Sequence, residues 1–255
     1  MEKVSAVIIT KNNENIITNC LNSLHWADEI VIVDSGSTDK TLAICETFNC
    51  KIIKSPWLGF GKTKQLAVKN ASHNWIFSID SDEVCSEEFN KDIRKTLSSP
   101  QHDGYHIKRR TFYLNKPIRF CGWQNDYPLR LFRKDKGDFN DRSIHEYVEL
   151  KGSKGKIMAL LYHHSFPTIS SHLQKMNHYT DLGALEAYGK GKKSSPLSAV
   201  FKGVFKFVKM YFLKLGFLDG MPGYILCKNS AFGVYLKYLK IYELQLLNDP
   251  DSSLQ

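Results

Sequence analysis

Short apolar runs alternate with helix-period segments through the first third of the chain. Four runs rich in β-branched or other apolar residues occupy positions 4–9, 30–33, 51–53 and 75–79. Between the first two runs, apolar side chains recur at the spacing of one helix face, at Ile16, Ile17, Cys20, Leu21 and Leu24. Two more helix-period segments cover about 38–48 and 61–71. This alternation of strand and helix predicts β-α-β units and a mainly parallel sheet covered by helices on both faces.

The pattern changes beyond the fourth run. Ser86 is placed to cap a fourth helix that runs to Leu97. Residues 104–164 read as shorter strands, some of them antiparallel, and 170–188 and 197–218 read as helices.

This order of elements predicts an α/β fold with a mixed, mainly parallel sheet and a helical appendage that is basic and amphipathic. The predicted domain boundaries are 1–165 for the sheet domain, with halves 1–100 and 101–165, and 166–255 for the helical segment.

Polar clusters follow three of the predicted strands, at Thr10-Lys11-Asn12-Asn13-Glu14, Asp34-Ser35-Gly36-Ser37-Thr38-Asp39 and Asp80-Ser81-Asp82. Ligands of such sheets bind beyond the carboxyl ends of the strands, so these clusters form the expected binding edge. In the second cluster, Gly36 permits a tight turn after Asp34, and Ser37 or Thr38 caps the next helix. An aspartate fixed there can accept hydrogen bonds from a base or a ribose, although a plain turn from strand to helix uses the same residues.

The third cluster places two carboxylates one residue apart at the end of an apolar run. Asp80 and Asp82 cannot both be desolvated cheaply, so they need a cation or hydrogen-bond donors around them. Mg²⁺ and Mn²⁺ prefer oxygen ligands, and Mg²⁺ is usually held by one or two carboxylates together with substrate phosphates. The pattern therefore predicts either a divalent cation with a nucleoside diphosphate or a solvated turn at a strand end.

The net charge of +9 at pH 7 is concentrated towards the carboxyl end of the 255-residue chain. Between Lys190 and Lys240 there are ten lysines and one acidic residue, Asp219, so this span accounts for the whole excess. Such a basic segment predicts an anionic partner, either a membrane surface or a nucleic acid. The span contains no arginine, which nucleic-acid readers use heavily, so we expect no nucleic acid.

Three lysines of this span, Lys202, Lys206 and Lys209, share one face of the predicted helix 197–218, beside a broad apolar surface. Charged residues recur every few positions, which disfavours a helix that spans a bilayer and favours one that lies in the interface. The alternative is a helix that packs on the sheet domain with its lysines in water.

Two features of the sequence bear on the compartment. Met1-Glu2-Lys3 leads directly into an apolar strand, so we expect no secretion signal and a cytoplasmic protein. The six cysteines contain no C-x-x-C pair, which argues against a zinc knuckle or a redox motif. We expect most of them to be reduced and partly buried.

Taken together, three motifs in this order resemble the family-two glycosyltransferases of the GT-A fold. They are Ile8-Ile9-Thr10-Lys11-Asn12 with Glu14, Ile32-Val33-Asp34-Ser35-Gly36-Ser37-Thr38-Asp39, and Asp80-Ser81-Asp82-Glu83. Similarity to the bacterial lipopolysaccharide core β-1,4-glucosyltransferases continues through Cys121-Gly122-Trp123, Asp126, Arg130–Arg133, Ile144-His145-Glu146 and the tail at Leu215–Gly220. The resemblance implies a Rossmann-like, nucleotide-binding sheet and an enzyme that transfers a sugar with inversion.

The resemblance assigns a role to each matching position. Donor binding falls to Thr10, Lys11, Asn12, Glu14, Asp34, Ser35, Gly36, Asp80 and Ser81. Asp34 matches the acid that recognises the base, and many family members have a second aspartate where this chain has Ser35. Asp80 and Asp82 match the site of the metal and the ribose diphosphate, with Asp82 the more direct ligand of Mg²⁺ or Mn²⁺.

The resemblance also locates the general base, the carboxylate that takes the proton of the acceptor hydroxyl. The family's base commonly belongs to a Glu-Asp pair, and the matching pair here is His145-Glu146, so Glu146 is the expected base. Because the pair differs, Asp126 is the alternative base, and Glu146 could instead be a surface acid on a strand.

Neutral imidazoles can complete a metal shell made of carboxylate and phosphate oxygens. His163 is therefore a candidate ligand of the metal, and His145 a candidate contact of the substrate. Lone histidines are more often structural.

Four further side chains are candidates for phosphate or acceptor binding. Lys64 either reaches a phosphate or stands in water on its helix. Arg130 or Arg133 could clamp a phosphate, and their spacing directs them to opposite faces of a regular strand. Trp123 belongs to the acceptor side by resemblance.

The resulting hypothesis is a metal-dependent glycosyltransferase that works at the cytoplasmic face of the inner membrane. By resemblance, UDP-glucose is the donor and a lipid-linked saccharide, such as the heptose of a lipopolysaccharide inner core, is the acceptor. Another donor, or an acceptor in a capsule, glycolipid or protein glycan, is the alternative. A sugar nucleotidyltransferase is disfavoured because the first polar cluster, residues 10–14, contains no glycine.

Overall fold

The computed structural model describes residues 2–141 and 146–248. The strands in these ranges are β1 (Val4–Thr10), β2 (Glu29–Asp34), β3 (Lys51–Lys54), β4 (Trp75–Ser78), β5 (Glu83–Cys85), β6 (Gly104–Tyr113), β7 (Lys116–Pro117), β8 (Leu129–Arg133), β9 (Gly137–Phe139), β10 (Val148–Leu150) and β11 (Lys154–Phe166). The α-helices are α1 (Ile17–Asn22), α2 (Thr41–Thr47), α3 (Phe60–Asn70), α4 (Glu87–Ser98), α5 (Ile169–Gly189), α6 (Pro196–Val208) and α7 (Gly220–Leu247). A π-helical turn (Lys209–Leu213) and a 3₁₀ turn (Gly216–Asp219) lie between α6 and α7.

The main sheet mixes parallel and antiparallel strands in the order β3-β2-β1-β4-β8-β6-β11-β5. β1 pairs in parallel with β2 and β4, and β2 pairs in parallel with β3. In contrast, β8 is antiparallel to β4 and β6, and β5 is antiparallel to β11. The parallel part is the predicted β-α-β region, and the antiparallel part is the predicted mixed region. The predicted α/β class with a mixed sheet and flanking helices is confirmed.

Both faces of the parallel strands are covered by helices. On β1, Ala6 and Ile8 belong to a core that includes side chains of α1 and α4, whereas Val7 belongs to a second core with side chains of α3. The split follows from strand geometry, because successive side chains point to opposite faces. Two buried cores therefore hold the strands whose carboxyl ends carry the three polar clusters.

Local backbone signals explain where two helices start and stop. The Ser86 hydroxyl accepts a hydrogen bond from the backbone N–H of Phe89, as the predicted cap of α4 requires. The prediction of one helix over 197–218 is wrong, because α6 ends at Val208 and Leu215 has a φ of 56°. A residue with positive φ does not continue a right-handed helix. The sequence prediction also lacks the 28-residue helix α7, whose apolar residues are not confined to one face.

The chain forms two compact units, as far as the structure describes them. The first contains residues 1–110 and 126–163, and the second contains 111–125 and 164–255. Residues 111–125, which were predicted to belong to the sheet domain, group with the helical unit. All six cysteines are free thiols, and five of them are buried, more than the partial burial that was predicted.

The second unit is built on α5, α6 and α7. Its core contains Tyr113, Ile118, Cys121, Met210, Leu226 and Cys227. Among the described helices, none is long and apolar enough to cross a membrane.

Candidate functional site

The loops after β1 and β2 are tied to each other by hydrogen bonds. The backbone N–H of Asn12 donates to Ser37 Oγ at 2.9 Å, and Asn12 Oδ1 accepts from the backbone N–H of Thr38 at 2.8 Å. The Glu14 carboxylate accepts from the backbone N–H of Lys40 at 2.9 Å. The predicted donor residues Asn12 and Glu14 therefore brace the two loops into one edge, beside Lys11, which is exposed.

Asp34 is buried at the end of β2, and its own turn surrounds its carboxylate. The backbone N–H groups of Gly36 and Ser37 each donate to Asp34 Oδ2 at 3.0 Å, and the Ser37 hydroxyl donates to Oδ1. Gly36 has a φ of 90°, which glycine adopts without strain. The neighbouring Ser35 is buried, and its hydroxyl has no hydrogen-bond partner within the described residues. Since buried polar groups are normally hydrogen bonded, Ser35 is suited to a ligand contact.

Asn13 joins this edge to the loop after β4. Asn13 Oδ1 accepts hydrogen bonds from the hydroxyls of Thr10 and Ser81, each at 2.9 Å. The backbone N–H of Asn13 donates to Thr41 Oγ1 at 2.8 Å. The Asn13 side chain, for which the sequence predicted no role, thus joins the first and third polar clusters, and Asn12 joins the first and second. The sequence feature that could have indicated this role is the position of Asn13 in the first polar cluster, directly after a predicted strand.

Seven charged side chains of alternating sign form a continuous chain of ion pairs beside this edge. In order they are Glu146, Lys64, Asp80, Arg130, Glu83, Arg109 and Asp126. The successive N···O distances are 2.7, 2.8, 2.6, 2.7, 2.9 and 2.7 Å. Glu83 is fully buried, and Lys64 and Arg130 are nearly so. Burial of these charges is tolerable because each of the three has partners of opposite sign.

Asp80 stands in the middle of the ion-pair chain. Lys64 contacts Asp80 Oδ1 and Arg130 contacts Oδ2. Desolvation acts to raise the pKa of Asp80, but the charges of Arg130 and Lys64 and their hydrogen bonds outweigh it and hold that pKa well below its usual value. Burial acts to lower the pKa of Arg130, and Asp80 and Glu83 together raise it. Asp80 is therefore an anion that positions two cations.

Arg130 was predicted to clamp a phosphate, and here its Nη2 is engaged by Asp80 and Glu83. Its Nε is buried and has no hydrogen-bond partner among the described residues. Arg133, predicted alongside it, pairs with Asp135 at 3.0 Å and is partly exposed. The two arginines thus make separate contacts.

Lys64 is buried in α3, so the alternative of a solvated helix lysine is wrong. Its ammonium lies 2.7 Å from Glu146 Oε1 and 2.8 Å from Asp80 Oδ1. One lysine thus connects the predicted general base to the aspartate at the end of β4. Residues 64 and 146 are far apart in sequence, and no local pattern could pair them.

Asp82 and His163, the two side chains predicted to bind a metal most directly, lie close together. Asp82 Oδ1 and His163 Nε2 lie 3.4 Å apart, near the point where β5 and β11 pair. A carboxylate suits Mg²⁺ or Mn²⁺, and a neutral imidazole is a common metal ligand. No three His, Cys, Asp or Glu side chains of the described residues are grouped to hold a metal. One carboxylate and one imidazole are a donor set that fits a divalent cation whose other ligands are substrate phosphates.

A cavity of about 430 Å³ adjoins the ion-pair chain, a size within the range of small-molecule sites. Asp80, Arg130 and Glu146 line it, as predicted site residues. Five further polar lining residues were not predicted from the sequence, namely His106, Arg109, Tyr127, Tyr147 and Lys154. Arg109 belongs to the run Lys108-Arg109-Arg110, which taken alone indicates only a basic strand.

Four predicted residues belong to the second unit, and one is outside the described residues. Trp123 belongs to the second unit, where its ring centroid is 6.4 Å from that of Phe166. His145 falls outside the described residues. The three predicted membrane lysines also belong to the second unit, and the Lys202 ammonium lies 4.8 Å from the ring centroid of Tyr238.

Known proteins are similar to this chain over most of its length. The sequence profile described as glycosyl transferase family 2 matches residues 5–149. An uncharacterized glycosyltransferase of Rickettsia felis is 33% identical over 258 residues, which cover 95% of this chain and 90% of that protein. The lipopolysaccharide core biosynthesis glycosyltransferase LpsC of Rhizobium meliloti is 29% identical over 252 residues, which cover 96% of this chain and 93% of LpsC.

A third relative is similar over a shorter stretch. The poly(ribitol-phosphate) β-N-acetylglucosaminyltransferase TarS of Staphylococcus aureus is 34% identical over 122 residues, which cover 43% of this chain and 21% of TarS. The crystal structure of S. aureus TarS 1–349 in complex with UDP superposes with a TM-score of 0.48 at 19% identity, covering 93% of this chain and 91% of that chain.

Proposed function

We propose that this chain, which belongs to glycosyl transferase family 2, transfers a sugar from a nucleoside diphosphate sugar to a saccharide hydroxyl with inversion at the anomeric carbon. The observation that carries the proposal is the network at the carboxyl ends of β1, β2 and β4. There the loop after β1 is tied through Asn12 to the loop of Asp34, and through Asn13 to the loop of Asp80 and Asp82. Asp80 is linked through Lys64 to Glu146.

The donor would bind along the edge formed by residues 10–14 and 34–39. Asp34 is fixed by its own turn, and the unpaired hydroxyl of Ser35 is available to a base or ribose. A diphosphate beside Asp80 would meet Lys64 and the unpaired Nε of Arg130. These two cations are largely removed from water, so they stabilise the negative charge of a leaving group more strongly than exposed cations do.

Asp82 and His163 are the residues that would hold Mg²⁺ or Mn²⁺. When bound, such a cation supplies positive charge that stabilises the departing diphosphate.

The general base is proposed to be Glu146, with Asp126 as the alternative. Glu146 lines the cavity, and Lys64 holds its carboxylate at 2.7 Å. Asp126 pairs with Arg109 at 2.7 Å and is not among the residues that line the cavity in the described part of the chain. A carboxylate must reach the acceptor hydroxyl directly or through one water, and Glu146 is the better placed of the two.

Replacing Glu146 with glutamine is expected to lower kcat by roughly 10²–10⁴-fold, because the amide cannot take the acceptor proton. Donor binding should persist, since glutamine keeps an oxygen that can accept from Lys64. Asp126→Asn is the matched control and should lower kcat by less than about tenfold. The measurement is release of nucleoside diphosphate under saturating donor and acceptor, and the reverse ranking of the two variants would assign the base to Asp126.

The finer proposal is that UDP-glucose is the donor and a lipid-linked saccharide, such as inner-core heptose of lipopolysaccharide, is the acceptor. The name of LpsC, which aligns with 96% of this chain, supports a lipopolysaccharide core acceptor. The name of TarS supports N-acetylglucosamine as the alternative sugar. A lipid-linked acceptor would bring the enzyme to the cytoplasmic face of the inner membrane, where Lys202, Lys206 and Lys209 could meet anionic headgroups.

The proposed function is tested by incubating the protein with Mn²⁺, lipopolysaccharide of truncated core and one nucleotide sugar at a time. UDP-glucose, UDP-N-acetylglucosamine, a GDP-sugar and a CMP-sugar make a sufficient panel. A UDP-sugar should transfer label to the acceptor with the Glu146→Gln variant inactive. Equal label transfer by wild type and variant, or UDP release without any transfer to saccharide, would contradict the proposal.

A further inference from the structure

The outward face of α6 is apolar, which reverses the usual arrangement of a surface helix. Its members are Leu197, Val200, Phe201, Val204, Phe205 and Val208, and all six are exposed. At about 100° per residue these side chains occupy about 140° of the helix circumference without a polar interruption. Phe201 and Phe205 alone are 67% and 63% exposed. We call this set the outward face of α6.

The inward side of α6 explains the reversal. Ala199 and Gly203 are its buried residues, so the helix meets α7 through small side chains. A Cβ built on Gly203 would lie 3.1 Å from Tyr235 Cβ, which shows how closely the two helices approach. The six large apolar side chains of the outward face are therefore not used for packing against α7.

Positive charge borders the outward face. Lys202 and Lys209 follow Phe205 around the helix and are exposed. The acidic residue of the span, Asp219, accepts hydrogen bonds from the backbone N–H groups of Arg119 and Phe120 at 2.9 and 2.8 Å. The Asp219 carboxylate is thus occupied within the second unit. The span between residues 190 and 240 contains no other acidic residue that could pair with the lysines.

Aromatic side chains continue the apolar surface beyond the end of α6. Phe207, Tyr211, Phe212, Phe217 and Tyr224 form a cluster with ring centroids 5.2–6.4 Å apart. Three of these rings are exposed, those of Phe212, Phe217 and Tyr224. Tyrosine is favoured at the level of lipid headgroups, and phenylalanine is common on the apolar face of interfacial helices.

We infer that the outward face of α6 inserts into the interfacial layer of an anionic bilayer, with its bordering lysines at the headgroups. The outward face of α6 would hold the enzyme at the membrane that carries the proposed acceptor. The inference rests on the proposed function because that acceptor is taken to be linked to a lipid. An exposed apolar arc bordered by lysines is the composition of a helix that lies in the membrane interface. A second copy of the chain fits less well, because α6 carries no acidic residue that could pair with the lysines of the other copy.

The inference is tested by co-sedimentation of the full chain with vesicles, without any nucleotide sugar. Vesicles of phosphatidylcholine with about 30% phosphatidylglycerol should bind the protein, and pure phosphatidylcholine vesicles should bind it far less. The double variant Phe201→Ser and Phe205→Ser should bind the anionic vesicles about tenfold more weakly or worse. The matched control is Leu173→Ser with Leu185→Ser, which removes two exposed apolar side chains from α5 and should bind as wild type does.

Each outcome bears on the inference. Equal loss of vesicle binding in both double variants, or none in either, would overturn it, as would wild-type binding to anionic vesicles that survives about 0.5 M salt unchanged. Conversion of a dimer to a monomer by the α6 variant, with unchanged vesicle binding, would assign the face to a second copy. Thermal stabilisation by nucleotide sugar, measured on the same samples, separates a failed membrane contact from a failed proposed function.

Discussion

Replacing Asp82 with alanine is expected to lower the rate of sugar transfer by roughly two to three orders of magnitude while the fold is retained. Asp82 lies in the loop between β4 and β5, 3.4 Å from His163, and supplies the carboxylate best suited to a divalent cation. Without it, the proposed cation would lose its carboxylate ligand and keep the imidazole of His163. The loss should appear in kcat/KM for transfer and also in the affinity for Mn²⁺ measured by electron paramagnetic resonance in the presence of UDP.

The control for this prediction is Asp92→Ala, an exposed aspartate in α4. It should leave both transfer and Mn²⁺ affinity unchanged. Retention of full transfer by the Asp82→Ala variant, at matched Mn²⁺ concentration, would refute the role of this carboxylate.

Replacing Glu83 with alanine is expected to lower the free energy of unfolding by about 3–5 kcal/mol. Glu83 is fully buried and accepts from Arg130 Nη2 at 2.7 Å and Arg109 Nη1 at 2.9 Å. Its removal takes one carboxylate partner away from the guanidinium groups of Arg109 and Arg130. A buried charge without a partner is costly. Denaturant unfolding followed by circular dichroism measures the change.

The exposed Glu87, four residues further on, provides the matched control. Glu87→Ala should cost less than about 1 kcal/mol, since it removes only a first-turn charge from α4. A stability loss no larger than that of the control would show that the ion-pair chain does not stabilise the fold.

Protonation of Asp80 at acid pH removes one negative charge from the same chain of ion pairs. The pKa of Asp80 is depressed in the folded protein, against desolvation, by Arg130 and Lys64. Asp80 therefore contributes its full stabilisation above its pKa in the unfolded chain, which is about 4. This stabilisation is lost as the pH falls from there through the lower pKa of Asp80 in the folded protein. An Asp80→Asn variant should show a shallower loss of stability over that acid range than the wild type.

The sequence predicted those parts of the site that depend on local strand and turn patterns. Thr10, Asp34 and Asp80 each follow an apolar strand, and the parallel pairing of those strands brings the three loops together. The local turn was also predicted correctly, because Asp34 and Gly36 form the tight turn that aspartate and glycine favour.

The long-range pairs could not be predicted in the same way. Glu83 was visible in its motif, but its partners Arg109 and Arg130 come from β6 and β8 and meet it only after the sheet is assembled. Lys64 illustrates the same limit, because a helix lysine is normally solvated and only the folded chain buries it between two acids. Ion pairs between distant segments follow from strand order, which a single sequence does not state.

The helical unit was the least predictable part. Its lysines and apolar residues indicated an interfacial helix, but the break at Leu215 depends on a left-handed backbone that no glycine signals at that position. The apolar residues of α7 lie around the whole helix, so the periodicity that identifies amphipathic helices is weak there.

The most direct test of a donor site at the carboxyl edge of the sheet is thermal stabilisation by nucleotide sugars with Mn²⁺. A ligand that binds only the native state stabilises it by about 2.7 kcal/mol at a concentration of 100 Kd. We predict that a UDP-sugar raises the Tm of the wild type and that Asp34→Ala and Asp82→Ala abolish most of the shift. A Tm that no UDP-, GDP- or CMP-sugar changes, or a shift that survives both substitutions, would contradict a donor site at this edge.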